Sequence, residues 1–237
     1  MQIKLKIHKD GIIEFPVNYN YQFQSAIYAL LGESPYYSDF LHNQGYGDAQ
    51  RFKMFTFGSP QGEYKIIDKK IYFNEDFTLE IRSVSEEFCE IIKNSIMSHG
   101  TIKLFNYICD IDEMVFFRKE ISSTSVTIKT QSPIIIQSKT EENKTIPYSP
   151  TQREFYALVD TNFQNKYKAH FGHESLTNIT LLPMGNFKKV VTSYKGTWIT
   201  AYHGNFELHG SSQSIQFLYD TGLGMKNPQG FGMFDIL

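Results

Sequence analysis

A tandem pair of ferredoxin-like (RRM-like) β-α-β-β-α-β domains, hence an α+β chain, is the fold class predicted by three observations. Gln2–His8 alternates strictly, with Ile3, Leu5 and Ile7 on one face and Lys4 and Lys6 on the other, as a half-buried strand does. Helix-period and strand-period stretches then follow one another in the order β-α-β-β-α-β up to Lys119. The same order starts again at Val126, without any repeat of the residues themselves. We expect one unit over 1–118 and a second over 119–237, joined by a short linker near Glu120–Thr124.

In the first unit, Phe23, Ile27, Leu30 and Leu31 recur at helical spacing across Asn20–Leu31, and Gly32 lies just beyond. A short helix is expected over Tyr36–His42, between Pro35 and the Gly45-Tyr46-Gly47 turn. Strands are expected at Phe52–Phe57 and Ile71–Arg82. In the latter, Ile71, Phe73, Phe77, Leu79 and Ile81 share one parity. Ser83 or Ser85 can cap the next helix, which carries Phe88, Ile91, Ile92 and Ile96 as its apolar stripe and ends at Gly100. Strand-like runs at Ile102–Asn106 and Glu113–Lys119 close the unit.

In the second unit, Val126–Gln137 is strand-like but broken at Ser132-Pro133, where a proline implies an edge or a bulge. Ser149-Pro150-Thr151-Gln152 has the form of a helix start, with serine as N-cap, proline first in the helix and glutamine closing a capping box. Phe155, Leu158, Val159, Asn162 and Phe163 run down that helix. Strands at Phe187–Ser193 and Thr197–Leu208 meet at a Lys195-Gly196 turn, with Trp198, Tyr202, Phe206 and Leu208 expected on one face. A short helix over Ser211–Asp220 and a strand over Phe231–Ile236 complete the order.

The composition of 237 residues, 41% hydrophobic and 15% aromatic, supplies material for two cores. No run of eighteen apolar residues and no charged-then-apolar leader are present, so we expect no membrane segment and a cytoplasmic, prokaryotic setting. Cys89 and Cys109 have no metal-ligand spacing and read as reduced thiols of the core. Net charge is −2, against the basic excess usual in nucleic-acid binders. Residues 1–118 hold 12 basic and 16 acidic side chains, a balance of −4, and the remainder 11 and 9, a balance of +2. Any surface for a nucleic acid must then be a local stripe, more readily on the second unit.

The most specific stretch is Gly222-Leu223-Gly224-Met225-Lys226-Asn227-Pro228-Gln229-Gly230-Phe231-Gly232. Glycine lets a backbone approach phosphates and offer them its N–H groups. A Walker loop is excluded, because Asn227 and not Ser or Thr follows Lys226. A dinucleotide fingerprint is excluded because here the glycines follow a helix and precede a strand. The pattern Gly-h-Gly, five residues, Gly-h-Gly before a final strand resembles the signature of the CRISPR-associated precursor-crRNA-processing endoribonucleases of the RAMP superfamily. The strand Gln2–Ile7, the Pro16–Tyr21 segment, Ile27-Tyr28, Phe40-Leu41-His42, Lys53–Phe57 and Ser132-Pro133-Ile134 extend the resemblance through nearly the whole chain.

The resemblance implies RNA contact by Gly222, Gly224, Gly230 and Gly232, with Lys226 touching a phosphate. It also implies a catalytic set of Tyr28, His42 and Lys53. The chemistry suits these residue types. RNA carries its own nucleophile, the 2′-hydroxyl, and can be cut without metal or cofactor once protons are moved and the phosphorane charge is met. An imidazole, with an ordinary pKa of about 6.5, moves protons near neutrality. A lysine meets the charge, and a tyrosine hydroxyl positions or shares a proton. Tyr37 is the rival of Tyr28. The expected products are a 2′,3′-cyclic phosphate and a 5′-hydroxyl. The implied partner is CRISPR repeat RNA; other CRISPR effector subunits and a homodimer stay open, as does the alternative of a non-cleaving RNA-binding subunit. Lys188, Lys189 and Lys195 flank the hairpin of the positive half and are further candidates for RNA phosphates, or form a solvated basic edge. His170-x-x-His173 lacks a third ligand, so no metal site is expected. His203 faces either the RNA groove or solvent.

Overall fold

Strict alternation puts Gln2–His8 (β1) at the centre of a sheet in a computed structural model that describes residues 1–48 and 50–237. Ile3, Leu5 and Ile7 are fully buried while Lys4 is exposed. Next come Ile13–Pro16 (β2), Asn20–Leu30 (α1), Pro35–Asp39 (α2) with a π-helical turn over Phe40–Gln44, Phe55–Phe57 (β3), Tyr64–Ile67 (β4), Lys70–Phe73 (β5), Phe77–Ser83 (β6), Glu86–His99 (α3), Thr101–Leu104 (β7) and Tyr107–Phe117 (β8). The strands pair antiparallel in the order β3-β6-β1-β8-β7. Phe23 and Ile27 of α1 and Phe88 and Ile92 of α3 enter one core with the inward residues of β1 and β6. Ser85 caps α3 by accepting a hydrogen bond from the Phe88 amide, and Gly100 ends it in the left-handed region.

The second unit runs through Ser125–Thr130 (β9), Gln137–Lys139 (β10), Thr145–Pro147 (β11), Arg153–Phe171 (α4), Thr180–Tyr194 (β12), Thr197–His209 (β13), Ser212–Thr221 (α5) and Phe234–Ile236 (β14). Its sheet is β12-β13-β9-β14, again antiparallel, and β10–β11 form a separate ribbon. In the first sheet β1 lies between β6 and β8, and in the second β9 lies between β13 and β14, which is the ferredoxin-like arrangement.

The strand expected over Phe187–Ser193 is longer, since β12 begins at Thr180, and four other expectations need correction. Ile71–Arg82 is not one strand: Asn74-Glu75-Asp76 breaks it, and β5 pairs with β2 and β4 in a small sheet of their own. The Asp76 carboxylate at that break is held by Lys6 at 2.7 Å and His8 at 2.6 Å. The last strand of the first unit begins earlier than expected, at Tyr107. Ser149 is not the N-cap of α4, which starts at Arg153. Its amide does donate to Gln152 Oε1 at 2.8 Å, but that bond closes a separate turn upstream of the helix.

The fourth correction concerns β13. Phe206 and Leu208 are buried as expected, whereas Trp198 on the same parity is 73% exposed and Ile199 and Ala201 of the opposite parity are buried. Pairing with β9 ends at Asn205, so the far half of the β12–β13 hairpin outruns its own sheet. Its other face then packs with Ile135 and Phe231.

Arg82 ties the two units together. It is 1% exposed, donates to the Phe234 carbonyl at 2.6 Å, to Asp235 at 2.9 Å and to Glu80 at 2.6 Å, and lies 3.9 Å from the Tyr219 ring centroid. Removing it strands buried acceptors from both units. Arg82→Ala should therefore lose about 3–5 kcal/mol in urea unfolding, while Lys189→Ala, at an exposed strand position, should stay within about 0.5 kcal/mol of the parent.

Candidate active site in the inter-domain cleft

Chain geometry around His42 follows from one glycine. The α2 helix passes into the π-helical turn Phe40–Gln44, and Gly45 ends it with φ +67° and ψ −164°, a conformation that a Cβ would not tolerate. A Cβ there would also sit 2.6 Å from the Phe52 carbonyl oxygen and 3.2 Å from Lys53 Nζ. The close approach lets Lys53 donate to the Leu41 carbonyl and, at 3.2 Å, to the His42 carbonyl. Burial, and then the nearby Arg51 charge, hold the Lys53 ammonium below its ordinary pKa.

The His42 ring is exposed and oriented. The Asn43 amide nitrogen donates to Asp39 Oδ1 at 2.5 Å, which turns the Asn43 oxygen towards His42 Nδ1 at 2.9 Å. Nδ1 therefore carries the hydrogen in the neutral ring, and Nε2 is left with the free lone pair. Tyr28, on α1, meets the imidazole edge-on with centroids 6.5 Å apart. Burial, and then Tyr194, push its hydroxyl up to about 12, so it is a donor at neutral pH. Tyr37 is placed otherwise: it is 3% exposed and its hydroxyl bonds Ser85 Oγ at 2.9 Å, outside the cleft.

Tyr28, His42 and Asp39 line an open cleft of about 690 Å³ together with Tyr21, Ser25 and Lys195. Lys195 comes from the other unit, at the tip of the β12–β13 hairpin. Asn18 draws that tip in by accepting from Thr192 Oγ1 at 2.8 Å and from the Ser193 amide at 3.3 Å. Tyr194 donates to Gln24, and the Lys195 ammonium lies 4.5 Å from the Tyr21 ring centroid. Lys188 and Lys189 are exposed but stand opposite His203 and Tyr202 on the hairpin, away from the cleft.

Gly222, Gly224, Gly230 and Gly232 are all buried, and each has positive φ. A Cβ on Gly230 would lie 2.5 Å from the Phe57 ring and 2.7 Å from the Asn20 amide nitrogen; on Gly224 it would lie 2.6 Å from the Ile135 carbonyl oxygen. The glycines thus let the segment be squeezed between the two units, and only Met225, Lys226, Pro228 and Gln229 are part-exposed. From the first unit Asn20 donates to the Gln229 carbonyl at 2.7 Å and Thr56 to the Phe231 carbonyl at 3.2 Å. From α4, Lys166 donates to the Gly222 carbonyl at 2.5 Å, to Asn227 Oδ1 at 3.0 Å and to the Thr221 carbonyl at 3.5 Å. Sequence reasoning missed Lys166: a lysine one turn beyond Phe163 reads as a solvated position, yet it is 2% exposed.

The other histidines stand apart. His170 packs among Tyr46, Phe171 and Phe217, and His173 Nδ1 lies 3.0 Å from the Glu174 carbonyl. His203 contacts Thr130 Oγ1 at 3.0 Å. Among the described residues the grouping with metal-ligand geometry is His8, Asp76 and Asp112, where Lys6 Nζ already lies 2.7 Å from Asp76. None of these residues reaches the cleft.

Burial lowers the Lys166 pKa to about 7 from its ordinary 10.5. Between those values the unfolded chain holds a proton that the folded one has released, so stability rises with pH in that window. Relative to Lys166→Met, the parent should gain up to about 1.4 kcal/mol per pH unit above pH 7 in urea unfolding.

The family model described as CRISPR associated protein Cas6, C-terminal, matches residues 117–236, and that described as CRISPR-associated protein Cas6, N-terminal, matches residues 14–115. A Methanocaldococcus jannaschii protein named CRISPR-associated endoribonuclease Cas6 1 is 28% identical over 244 residues, covering 98% of this chain and 91% of its own length. A Pyrococcus furiosus protein named CRISPR-associated endoribonuclease Cas6 is 24% identical, covering 96% and 86%. A solved structure described as CRISPR associated protein Cas6 superimposes with a TM-score of 0.81 at 26% identity, covering 100% of this chain and 99% of its own. One described as an RAMP protein binding different RNA substrates shares the fold, with a TM-score of 0.86 at 23% identity and the same coverage.

Proposed function

From the premise that this chain belongs to the CRISPR-associated Cas6 family, we propose that it binds CRISPR repeat RNA and cuts the precursor transcript without a metal ion. Relatives named as endoribonucleases over nearly the full length support the activity. The single observation that carries the chemistry is an exposed imidazole whose Nδ1 is occupied, lining an open cleft shared by Tyr28 and by Lys195 of the other unit.

In this scheme the RNA 2′-oxygen attacks phosphorus, the bond from phosphorus to the 5′-oxygen breaks, and a cyclic phosphate and a 5′-hydroxyl result. The 2′-hydroxyl gives up a proton and the departing 5′-oxygen takes one; His42 Nε2 serves one of these transfers. Lys53, set under the His42 turn, stabilises the phosphorane charge and holds the turn's carbonyls in place. Tyr28, protonated at neutral pH, donates to a phosphate oxygen. Lys195 supplies a cation from the other unit, and Lys226 at the part-exposed tip Met225–Gln229 offers a further phosphate contact. Lys188 and Lys189 contribute to the field on the hairpin rather than to the cleft.

With 5′-labelled repeat RNA, His42→Ala should slow cleavage by about 10²–10⁴ while the Kd stays within a few-fold; an unchanged rate refutes the assignment. Lys53→Ala should slow it less. Cleavage should persist in excess EDTA and leave a cyclic phosphate on the upstream fragment, and loss of cutting on chelation would exclude the mechanism. Lys195→Ala should lower the slope of log K against log salt by about one unit.

A further inference from the structure

The backbone around His42 is fixed by cations. Lys53 donates to the carbonyls of Leu41 and His42, and Arg51 donates to that of Asn43. Three successive carbonyls are thus held by two side chains, and Gly45 ends the turn just beyond them. What the backbone leaves open is the torsion of the imidazole and which of its nitrogens carries the hydrogen. A free histidine side chain favours the hydrogen on Nε2, which leaves that nitrogen without a lone pair.

Asp39 has no part in attracting RNA. It is the one carboxylate lining the cleft among the described residues, it is exposed, and no lysine, arginine or histidine among them pairs with it. An unpaired negative charge beside a phosphodiester opposes binding. What Asp39 does contact is the Asn43 amide nitrogen, at 2.5 Å. A carboxylate only accepts, so the Asn43 NH₂ is turned towards Asp39 and the Asn43 oxygen towards His42. That oxygen also only accepts, so His42 Nδ1, 2.9 Å away, is the donor. The charge at the far end of the chain therefore sets the polarity of every bond up to the ring.

We propose that Asp39 and Asn43 are positioning residues for the cleavage reaction: they hold the neutral His42 ring in its Nδ1–H form, with Nε2 as the nitrogen free to exchange a proton, at some cost in RNA affinity. The inference rests on the assignment of proton transfer to His42 and adds the two residues that select its tautomer. In a buried catalytic triad the wrong tautomer lowers the rate by about 10⁴. Here the chain is exposed and water competes for each bond, so the loss is smaller.

Two readouts test this independently. In protein labelled with ¹⁵N-histidine at about pH 8.5, where an ordinary imidazole is neutral, the His42 signals are those missing from His42→Ala. They should place the hydrogen on Nδ1 in the parent and mostly on Nε2 in Asn43→Ala. With repeat RNA in single turnover, Asn43→Ala should cut about 10–10²-fold more slowly at unchanged Kd. Asp39→Ala should cut about tenfold more slowly and yet bind RNA about two- to fivefold more tightly, a split that a loss of folding does not produce. Exchange is the strictest arm. Asn43→Asp alone sets two carboxylates side by side, whereas Asp39→Asn together with Asn43→Asp rebuilds a donor–acceptor chain ending on Nδ1–H. The exchange variant should recover a rate within about tenfold of the parent. Both positions are exposed, so all variants should melt close to the parent. A hydrogen on Nε2 in the parent, Asn43→Ala cutting at the parent rate, or an exchange variant no faster than Asn43→Asp overturns the proposal. If His42→Ala cuts normally, the assignment of His42 itself fails; if His42→Ala is slow and Asn43→Ala is not, only the positioning role does.

Discussion

A lysine side chain with no access to water organises the seam of this protein. Lys166 is carried into the interior by α4, and the three oxygens around it belong to the segment that leaves α5 and enters β14. Without partners such a polar group would be costly to bury, and burial lowers its pKa to about 7. It is tolerated because helix α5 ends there, so carbonyls with no helical partner converge on it. The same contact satisfies an orphan helix end and pins the glycine-rich loop. Everything placed by that loop depends on it: the Asn20 and Thr56 bonds across the seam, the Phe231 packing under the hairpin, and the part-exposed tip at Lys226.

The cleft has the opposite character. His42, Asn43 and Asp39 are exposed and linked by short hydrogen bonds, and their backbone is set by a π-helical turn that Gly45 terminates and Lys53 braces from below. The seam thus supports an exposed imidazole beside an open cleft. The long β12–β13 hairpin connects the two, since it grows from the second sheet and is tied at its tip to α1 by Asn18 and Gln24. That crossing places Lys195 of the second unit in a cleft otherwise lined by the first.

Much of this was legible in the residues. The parity of Ile3, Leu5 and Ile7, the cap Ser85 with its stop Gly100, and the Lys195-Gly196 turn are local signals, and each has its counterpart in the structure. The errors share a cause. Ile71–Arg82 keeps one parity through Phe73 and Phe77, but tethering of Asp76 to Lys6 and His8, residues some seventy positions away, divides it into strands of two sheets. Trp198 keeps parity with Phe206, but the burial face of β13 changes where the strand leaves its own sheet for the seam. For the glycines, spacing showed that backbone approach matters, yet the approach observed is to Phe57, Asn20 and Ile135 of the protein itself.

By itself, then, the chain order of patterns determined the two ferredoxin-like units, and the glycine spacing with Tyr28, His42 and Lys53 pointed to the family, because periodicity, caps and turn residues act over a few positions. Tertiary structure alone decided which tyrosine stands by the imidazole, which lysine of the hairpin enters the cleft, and that Lys166 and Asn162 face inward. Those outcomes depend on where two sheets meet, and burial at a seam is a property of the partner surface that no local pattern in the chain encodes.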